Sequence, residues 1–109
     1  MIDEQFIRNT EQTAVDRWGP THQLLKAAEE CGELIQAVMK LLVVCYDPKT
    51  YPEMVDHILE EAADVTILTD QIGLIFSRGT ERMRRWREVK IDRLARTIAE
   101  DEEGKTCDE

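Results

Sequence analysis

Hydrophobic residues recur every three or four positions along most of this chain, which is the spacing of one face of an α-helix. The pattern predicts a short amphipathic helix within residues 1–17 and two long helices, from residue 21 to about 46 and from about 52 to 76. A fourth helix is expected from residue 81 to about 100, with Thr80 as its N-cap. Only five Gly and three Pro argue against an all-β fold, which needs many turns. The expected fold class is therefore all-α.

Apolar stripes on the two long helices mark the faces that we expect to be buried. On the first long helix the stripe consists of Leu24, Ala28, Cys31, Leu34 or Ile35, Val38 and Leu42. On the second it consists of Val55, Ile58, Ala62, Val65, Leu68 or Thr69, Ile72 and Ile75 or Phe76. The short connection between these helices predicts that they are antiparallel neighbours in a helical bundle. A chain of 109 residues cannot bury all of its stripes alone, so we expect oligomerisation to complete the bundle.

Acidic residues stand beside both stripes, although charged side chains are rarely buried. Glu30 and Glu33 share one strip of the first long helix, because residues three apart lie about 60° from each other. Glu61 and Asp64 repeat the spacing on the second, whereas Glu29 points outward. Four carboxylates in one place repel one another unless a cation lies between them, and their oxygens suit Mg²⁺ or Mn²⁺. Either pair alone would be ordinary surface charge, so the predicted metal site depends on the two helices facing each other.

Several neighbours of these acids add detail to the predicted site. Gly32 costs about 1 kcal/mol relative to Ala inside a helix, so we expect another backbone to come close to it. Gln23 and Lys26 lie on the same strip as the first acidic pair. His57 comes one turn before Glu61, and we expect it to support the site rather than bind the metal.

Charge, apolar runs and cysteines together indicate the partners, the compartment and the extent of the domain. The formal net charge of −9 disfavours nucleic acid, which proteins bind through cationic contacts to phosphate. No apolar run approaches the roughly 20 residues that span a membrane. Three cysteines without metal-binding spacing are expected to be reduced thiols in a cytoplasmic protein. We expect one helical domain over residues 1–99, whose last helix is basic, and a disordered acidic tail over 100–109.

The acidic motifs together resemble a known family. Glu29-Glu30-x-x-Glu33 followed by Glu61-x-x-Asp64 is similar to the EExxE…ExxD signature of the MazG-like all-α nucleoside triphosphate pyrophosphohydrolases. The flanking sequences, LKAAEECGELIQA and EEAADV, resemble the family as well. A weaker similarity is the basic segment Lys90-x-x-Arg93-Leu94, and the resemblance covers roughly residues 18–98.

This resemblance implies a hydrolase that splits nucleoside triphosphates between the α and β phosphates, giving a monophosphate and pyrophosphate. The implied ligands of Mg²⁺, or of Mn²⁺, are Glu30, Glu33, Glu61 and Asp64. Either Glu29 or Glu33 is the implied general base. The family also forms homodimers or homotetramers whose sites lie at subunit contacts.

The remaining implied roles concern the nucleotide. Lys90 and Arg93 would stabilise charge that develops on the phosphates, and Lys26 is a second candidate to contact phosphate. Trp18 and Gln23 would line the pocket for base and sugar. The alternative function is a non-catalytic helical module that binds nucleotide or metal as a regulator, because the sequence does not identify a substrate pocket.

Overall fold

A computed structural model describes residues 1–43 and 47–104 of the chain. These residues form four α-helices and no strand: α1 Glu4–Trp18, α2 Pro20–Val43, α3 Tyr51–Ile75 and α4 Gly79–Glu102. The expected all-α class is confirmed, and the helices agree with the predicted ones to within a few residues. Residues 44–46, where we predicted the end of the first long helix, lie outside the described residues, as do residues 105–109 of the predicted tail. Residues 100–102, also assigned to that tail, instead continue α4.

Local signals explain the boundary between α1 and α2. Asp3 caps α1, because its carboxylate accepts a hydrogen bond of 2.8 Å from the backbone N–H of Phe6. Gly19 ends the helix with a φ of 91°, a value that favours glycine. Pro20 is then the first residue of α2, where its missing N–H leaves no hydrogen bond unmade. The helix α2 thus begins one residue before the predicted start at residue 21.

The corner between α3 and α4 differs from the prediction. The helix α4 begins at Gly79, so Thr80 is inside the helix and the prediction that it is the N-cap was wrong. Arg78, at a φ of 54°, makes the turn and forms an ion pair of 2.9 Å with Glu81. A side chain at Gly79 would collide with the backbone of Gly73, and a Cβ at Gly73 would lie 2.8 Å from the Thr80 hydroxyl. The corner therefore depends on two glycines that let the helices touch.

The helices α2 and α3 form the antiparallel hairpin that the sequence predicts. A buried hydrogen bond of 2.7 Å, donated by Gln23 Nε2 to Gln71 Oε1, joins the start of α2 to the end of α3. Further along, Glu30 meets Glu61, as antiparallel helices require. The helix α1 packs on both members of the hairpin, whereas α4 contacts α3 but not α2. Among the described elements α3 is thus the central one.

The face of α2 that packs against α3 is not the predicted one. The buried residues of α2 are Gln23, Ala27, Glu30 and Ala37, each one position before a member of the expected stripe. The expected stripe is mostly uncovered: Leu24, Ala28, Cys31, Ile35 and Leu42 are exposed. The helix is rotated by about 100° from the prediction. The two buried alanines explain why, because small side chains allow the helix axes to approach closely. The acidic strip consequently lies in the hairpin interface.

The stripe predicted for α3 agrees better with the structure. Leu68 is buried, and most other members of the stripe are half-buried. The expectation for Gly32 was wrong, since a Cβ there would have no atom within 4 Å. The described residues give no packing explanation for the stability that Gly32 costs the helix.

A single chain buries little apolar surface. Among the described residues only Val15, Ala27, Ala37 and Leu68 are buried hydrophobic residues. The radius of gyration is 17.9 Å, whereas a compact domain of this length has a value of about 13 Å. After Gly79 every residue of α4 up to Glu102 is exposed, including its apolar side. The apolar stripes of α2 and α4 are therefore uncovered in one chain. None of the helices described here combines the length and the apolar character needed to cross a membrane.

Candidate metal centre

Three of the four predicted metal ligands meet in the hairpin interface. Glu30 and Glu33 of α2 and Glu61 of α3 each offer one carboxylate oxygen, and these oxygens all lie within 4.8 Å of one another. Glu30 is 8% exposed and Glu61 is 7% exposed. In each of these two residues the Oε1 atom is buried without a hydrogen-bond partner among the described residues. Buried carboxylate oxygens normally have a partner, so the cluster has the donor set of a cation site.

The neighbouring residues fix the register of this cluster. The Gln23–Gln71 hydrogen bond aligns α2 with α3, and the small side chains of Ala27 and Ala37 bracket the acidic pair on the same face. Because Glu30 and Glu33 are three residues apart, their carboxylates belong to the same strip of α2. The cluster thus follows from the antiparallel pairing and from the rotation of α2.

Electrostatic repulsion within the cluster contributes to a raised pKa of Glu61. Burial is the largest cause that raises the pKa of Glu61, and the charge of Glu33 is the next. The charges of Asp64 and Glu30 raise this pKa further, whereas His57 lowers it. Since each cause that raises the pKa is a cost of ionising Glu61 in this place, a bound cation would remove the cost.

Asp64 differs from its expected position, whereas His57 lies beside Glu61 as the helical spacing predicts. Asp64 is half-buried and acts on Glu61 through its charge, but it does not join the three oxygens that lie within 4.8 Å. The His57 ring lies 3.8 Å from Glu61 Oε2 and 3.6 Å from Glu60 Oε1. These three residues form a second group whose ligand atoms lie within 4.8 Å. Sequence reasoning missed Glu60, although its spacing of three from His57 could have indicated the contact.

Lys26 lies at the edge of the acidic cluster. Its Nζ atom is 3.4 Å from the carboxylate of Glu29 and 3.5 Å from that of Glu30. The hydrogen bond and the charge of Glu29, followed by the charge of Glu30, raise the pKa of Lys26. Glu29 itself is exposed, as the helical spacing predicts. The lysine is therefore a cation held beside the cluster and accessible to a ligand.

The two residues expected to line a nucleotide pocket have different surroundings. Trp18 is exposed, and its ring centroid lies 6.0 Å from that of His22. Gln23 is only 4% exposed, and its amide contacts both His22, at 2.6 Å, and Gln71. The expectation for Gln23 needs correction, because a buried amide with partners on both sides offers little to a ligand. Its contacts make it a structural tie between α2 and α3.

The two basic residues predicted to stabilise phosphate are on the last helix. Lys90 and Arg93 are exposed on α4, which does not contact α2. Within the described part of the chain neither residue forms an ion pair with the acidic cluster. A single chain therefore does not bring them together with Glu30 and Glu33.

In comparisons with known proteins, no family model, no curated protein and no solved structure matches this chain. The resemblance to the MazG-like family accordingly rests on the motif residues quoted above.

Proposed function

We propose that this protein is a metal-dependent nucleoside triphosphate pyrophosphohydrolase. The observation that carries the proposal is the meeting of Glu30, Glu33 and Glu61, two of which are buried and have an oxygen without a hydrogen-bond partner. A buried acidic cluster between two helices is costly unless a cation completes it. An all-oxygen donor set favours Mg²⁺ or Mn²⁺ over softer metals.

The residues around the cluster fit hydrolysis of a triphosphate. When bound, a divalent cation supplies charge neutralisation of the phosphates and a lower pKa for water. Glu30, Glu33 and Glu61 would hold the cation, and Asp64 would add negative charge beside Glu61. Lys26, free at its outer side, would contact a phosphate oxygen. Water adds across the anhydride between the α and β phosphates, and a carboxylate accepts the proton that is released.

The candidate general bases have different surroundings. Glu29 is exposed and lies 3.4 Å from the Lys26 ammonium, whereas Glu33 is a member of the acidic cluster. Glu29→Gln separates the two roles. If Glu29 accepts the proton, this variant loses turnover but keeps metal binding, whereas loss of Glu33 removes both.

The position of Lys90 and Arg93 along the bundle is compatible with a role in the same reaction. Near its beginning α4 runs beside the end of α3, and Arg87 shares a groove with Thr66. Three residues further along α4, about 4.5 Å, is Lys90, and two residues back along α3, about 3 Å, is Asp64. Lys90 and Asp64 are therefore at similar heights along the bundle, but α4 lies on the side of α3 away from the acidic cluster, so α4 of a second subunit would bring a cation to the phosphates.

The uncovered apolar stripes support a homodimer or homotetramer. Leu24, Ile35 and Leu42 on α2 and Trp86 and Leu94 on α4 are large, exposed hydrophobic residues on continuous helix faces. Soluble chains rarely leave such faces open to water. A second copy of the chain offers complementary apolar stripes and would complete the bundle.

The test is to incubate the purified protein with ribo- and deoxynucleoside triphosphates and Mg²⁺, and to measure pyrophosphate and monophosphate. Activity in the wild type that falls by at least about 100-fold in Glu33→Gln and Asp64→Asn, with helicity and oligomeric state unchanged, would support the proposal. Glu53→Gln, an exposed acid in the first turn of α3, is the matched control and should retain full activity.

Two results would contradict this function. Absence of pyrophosphate from every nucleotide would favour the non-catalytic module that binds nucleotide or metal. Full activity in both Glu33→Gln and Asp64→Asn would show that hydrolysis does not use the acidic cluster.

A further inference from the structure

A second pair of acids, of which one is buried, lies away from the candidate metal centre. Helices α1, α3 and α4 enclose a groove of about 620 Å³, which is within the usual range for small-molecule sites. Glu11 of α1 and Asp70 of α3 line this groove. Asp70 follows Glu61 by nine residues, which places it about 180° around α3 and about 13 Å along it. The groove is thus on the opposite side of the central helix from the metal centre.

Glu11 is the buried group that needs a partner. It is only 8% exposed, and its Oε2 atom has no hydrogen-bond partner among the described residues. Burial, followed by the charge of Asp70 and a hydrogen bond to Asp70, raises the pKa of Glu11 to about 7. Above that pH the Glu11 carboxylate is ionised and can only accept hydrogen bonds.

Other polar groups in the floor of the groove also accept hydrogen bonds. The hydroxyl of Thr66 donates to the backbone oxygen of Ala63 at 2.7 Å, and that of Thr69 donates to the backbone oxygen of Thr66 at 3.0 Å. Both hydroxyl protons are therefore used, and the oxygen lone pairs remain free. Together with Glu11 and Asp70 the floor selects a group that carries several N–H donors.

The wall formed by α4 has the opposite character. Arg84 and Arg87 line the groove, and neither has an ion-pair partner in the part of the chain that the structure describes. Arg8 of α1 also lines it and makes only a loose contact of 3.7 Å with Glu4. Planar guanidinium groups without carboxylate partners bind phosphate well. A fitting ligand therefore has donors at one end and an anion at the other.

We propose that this groove is a second ligand site, which binds a nucleoside monophosphate whose base carries an exocyclic amino group. The amino group would donate to Glu11 and Asp70, and the phosphate would lie against Arg84 and Arg87. Carboxylates accept hydrogen bonds from the amino group of cytosine in the same way when proteins read nucleic acids. The site does not require the proposed hydrolysis, although a monophosphate is a product of that reaction.

Cytidine and uridine monophosphates provide a matched pair of probes. They carry the same phosphate and sugar, but uracil has a carbonyl where cytosine has an amino group. Titration calorimetry of the full chain at pH 8, in EDTA to exclude divalent metals, should show cytidine monophosphate binding at least about tenfold more tightly. Asp70→Asn should abolish this preference. Arg87→Ala, on an exposed helix face where folding is not at risk, should weaken both nucleotides about equally.

Two controls separate this site from the metal centre. Glu33→Gln should bind cytidine monophosphate as the wild type does, and so should Asp16→Asn, which changes an exposed acid on α1 outside the groove. The proposal is overturned if neither nucleotide binds, if both bind equally tightly, or if Arg87→Ala has no effect. Binding that is lost in Lys26→Ala, which removes the cation beside the acidic cluster, would place the nucleotide at the metal centre and would also overturn the proposal. If the Glu11–Asp70 pair only attaches α1 to α3, Asp70→Asn changes stability and no nucleotide binds.

Discussion

The buried carboxyl of Glu11 predicts that the stability of this fold decreases as the pH rises through neutrality. The pKa of Glu11 is about 7 in the folded chain and 4.5 in an unfolded one, chiefly because burial disfavours the charged form. The folded state therefore holds a proton that the unfolded state releases. Its stabilising effect is complete below about pH 4.5 and is lost as the pH rises through about 7. The charged groups that line the same groove are Asp70 of α3, Arg84 and Arg87 of α4, and Glu4 and Arg8 of α1.

The size of the effect follows from the two pKa values. A difference of one pH unit corresponds to about 1.4 kcal/mol, so the interval from 4.5 to about 7 gives about 3 kcal/mol. The groove is open to water along its rim, and solvent screening reduces this to about 2 kcal/mol. The Glu11→Gln variant keeps the shape of the side chain but cannot ionise. Above pH 7 it should therefore be more stable than the wild type by about 2 kcal/mol, and below pH 4.5 the difference should disappear.

The measurement is urea unfolding, followed by far-ultraviolet circular dichroism between pH 4.5 and 9 at a fixed protein concentration. The midpoint of the wild type should fall by about 1 M urea across this range relative to that of Glu11→Gln. Asp16→Asn serves as the control, because Asp16 is an exposed acid on the same helix. Comparing variants with the wild type at each pH removes the contribution of all other titrating groups. Midpoints of Glu11→Gln and wild type that run parallel over the whole range would refute the reasoning.

Three further perturbations test the metal centre, the α3–α4 corner and the uncovered stripe. Millimolar Mg²⁺ or Mn²⁺ should raise the melting temperature of the wild type. Glu61→Gln should lose this shift without being less stable in the absence of metal. Calorimetry measures both, and equal shifts in the wild type and the variant would contradict the site. Gly79→Ala should destabilise the fold by about 1–3 kcal/mol, because the added Cβ meets the backbone of Gly73. Gly32→Ala should stabilise the fold by up to about 1 kcal/mol, because a Cβ there meets no atom within 4 Å. The midpoints of urea unfolding measure both effects. Ile35→Glu on the exposed stripe of α2 should lower the oligomeric state measured by light scattering, and an unchanged molar mass would show that another surface joins the subunits.

Much of the local structure could be predicted from the sequence, because it depends on interactions between near neighbours. Periodicity determined the number of helices, and Gly19 and Pro20 determined the boundary between the first two. The spacing of three between Glu30 and Glu33 correctly indicated that their carboxylates share a strip. The short connection between α2 and α3 correctly indicated an antiparallel hairpin.

Only the tertiary structure decided which face of α2 is buried. The apolar stripe and the acidic strip are adjacent on this helix, and periodicity alone does not say which of them a neighbouring helix will cover. Ala27 and Ala37 allowed close approach on the acidic side, so Glu30 entered the interface and Ile35 was left outside. The same rotation placed Gln23 in a buried hydrogen bond instead of a nucleotide pocket.

The pairing of Glu11 with Asp70 could not be read from the sequence at all. The two residues are on different helices, and each alone has the character of an ordinary surface acid. Their proximity arises because α1 packs across α3 on the face opposite to the metal centre. By itself the sequence determined four helices and two acidic pairs, since those depend on spacing along one chain segment. The tertiary structure decided which acids are buried and which groups share a cavity, because both depend on how separate helices rotate and dock.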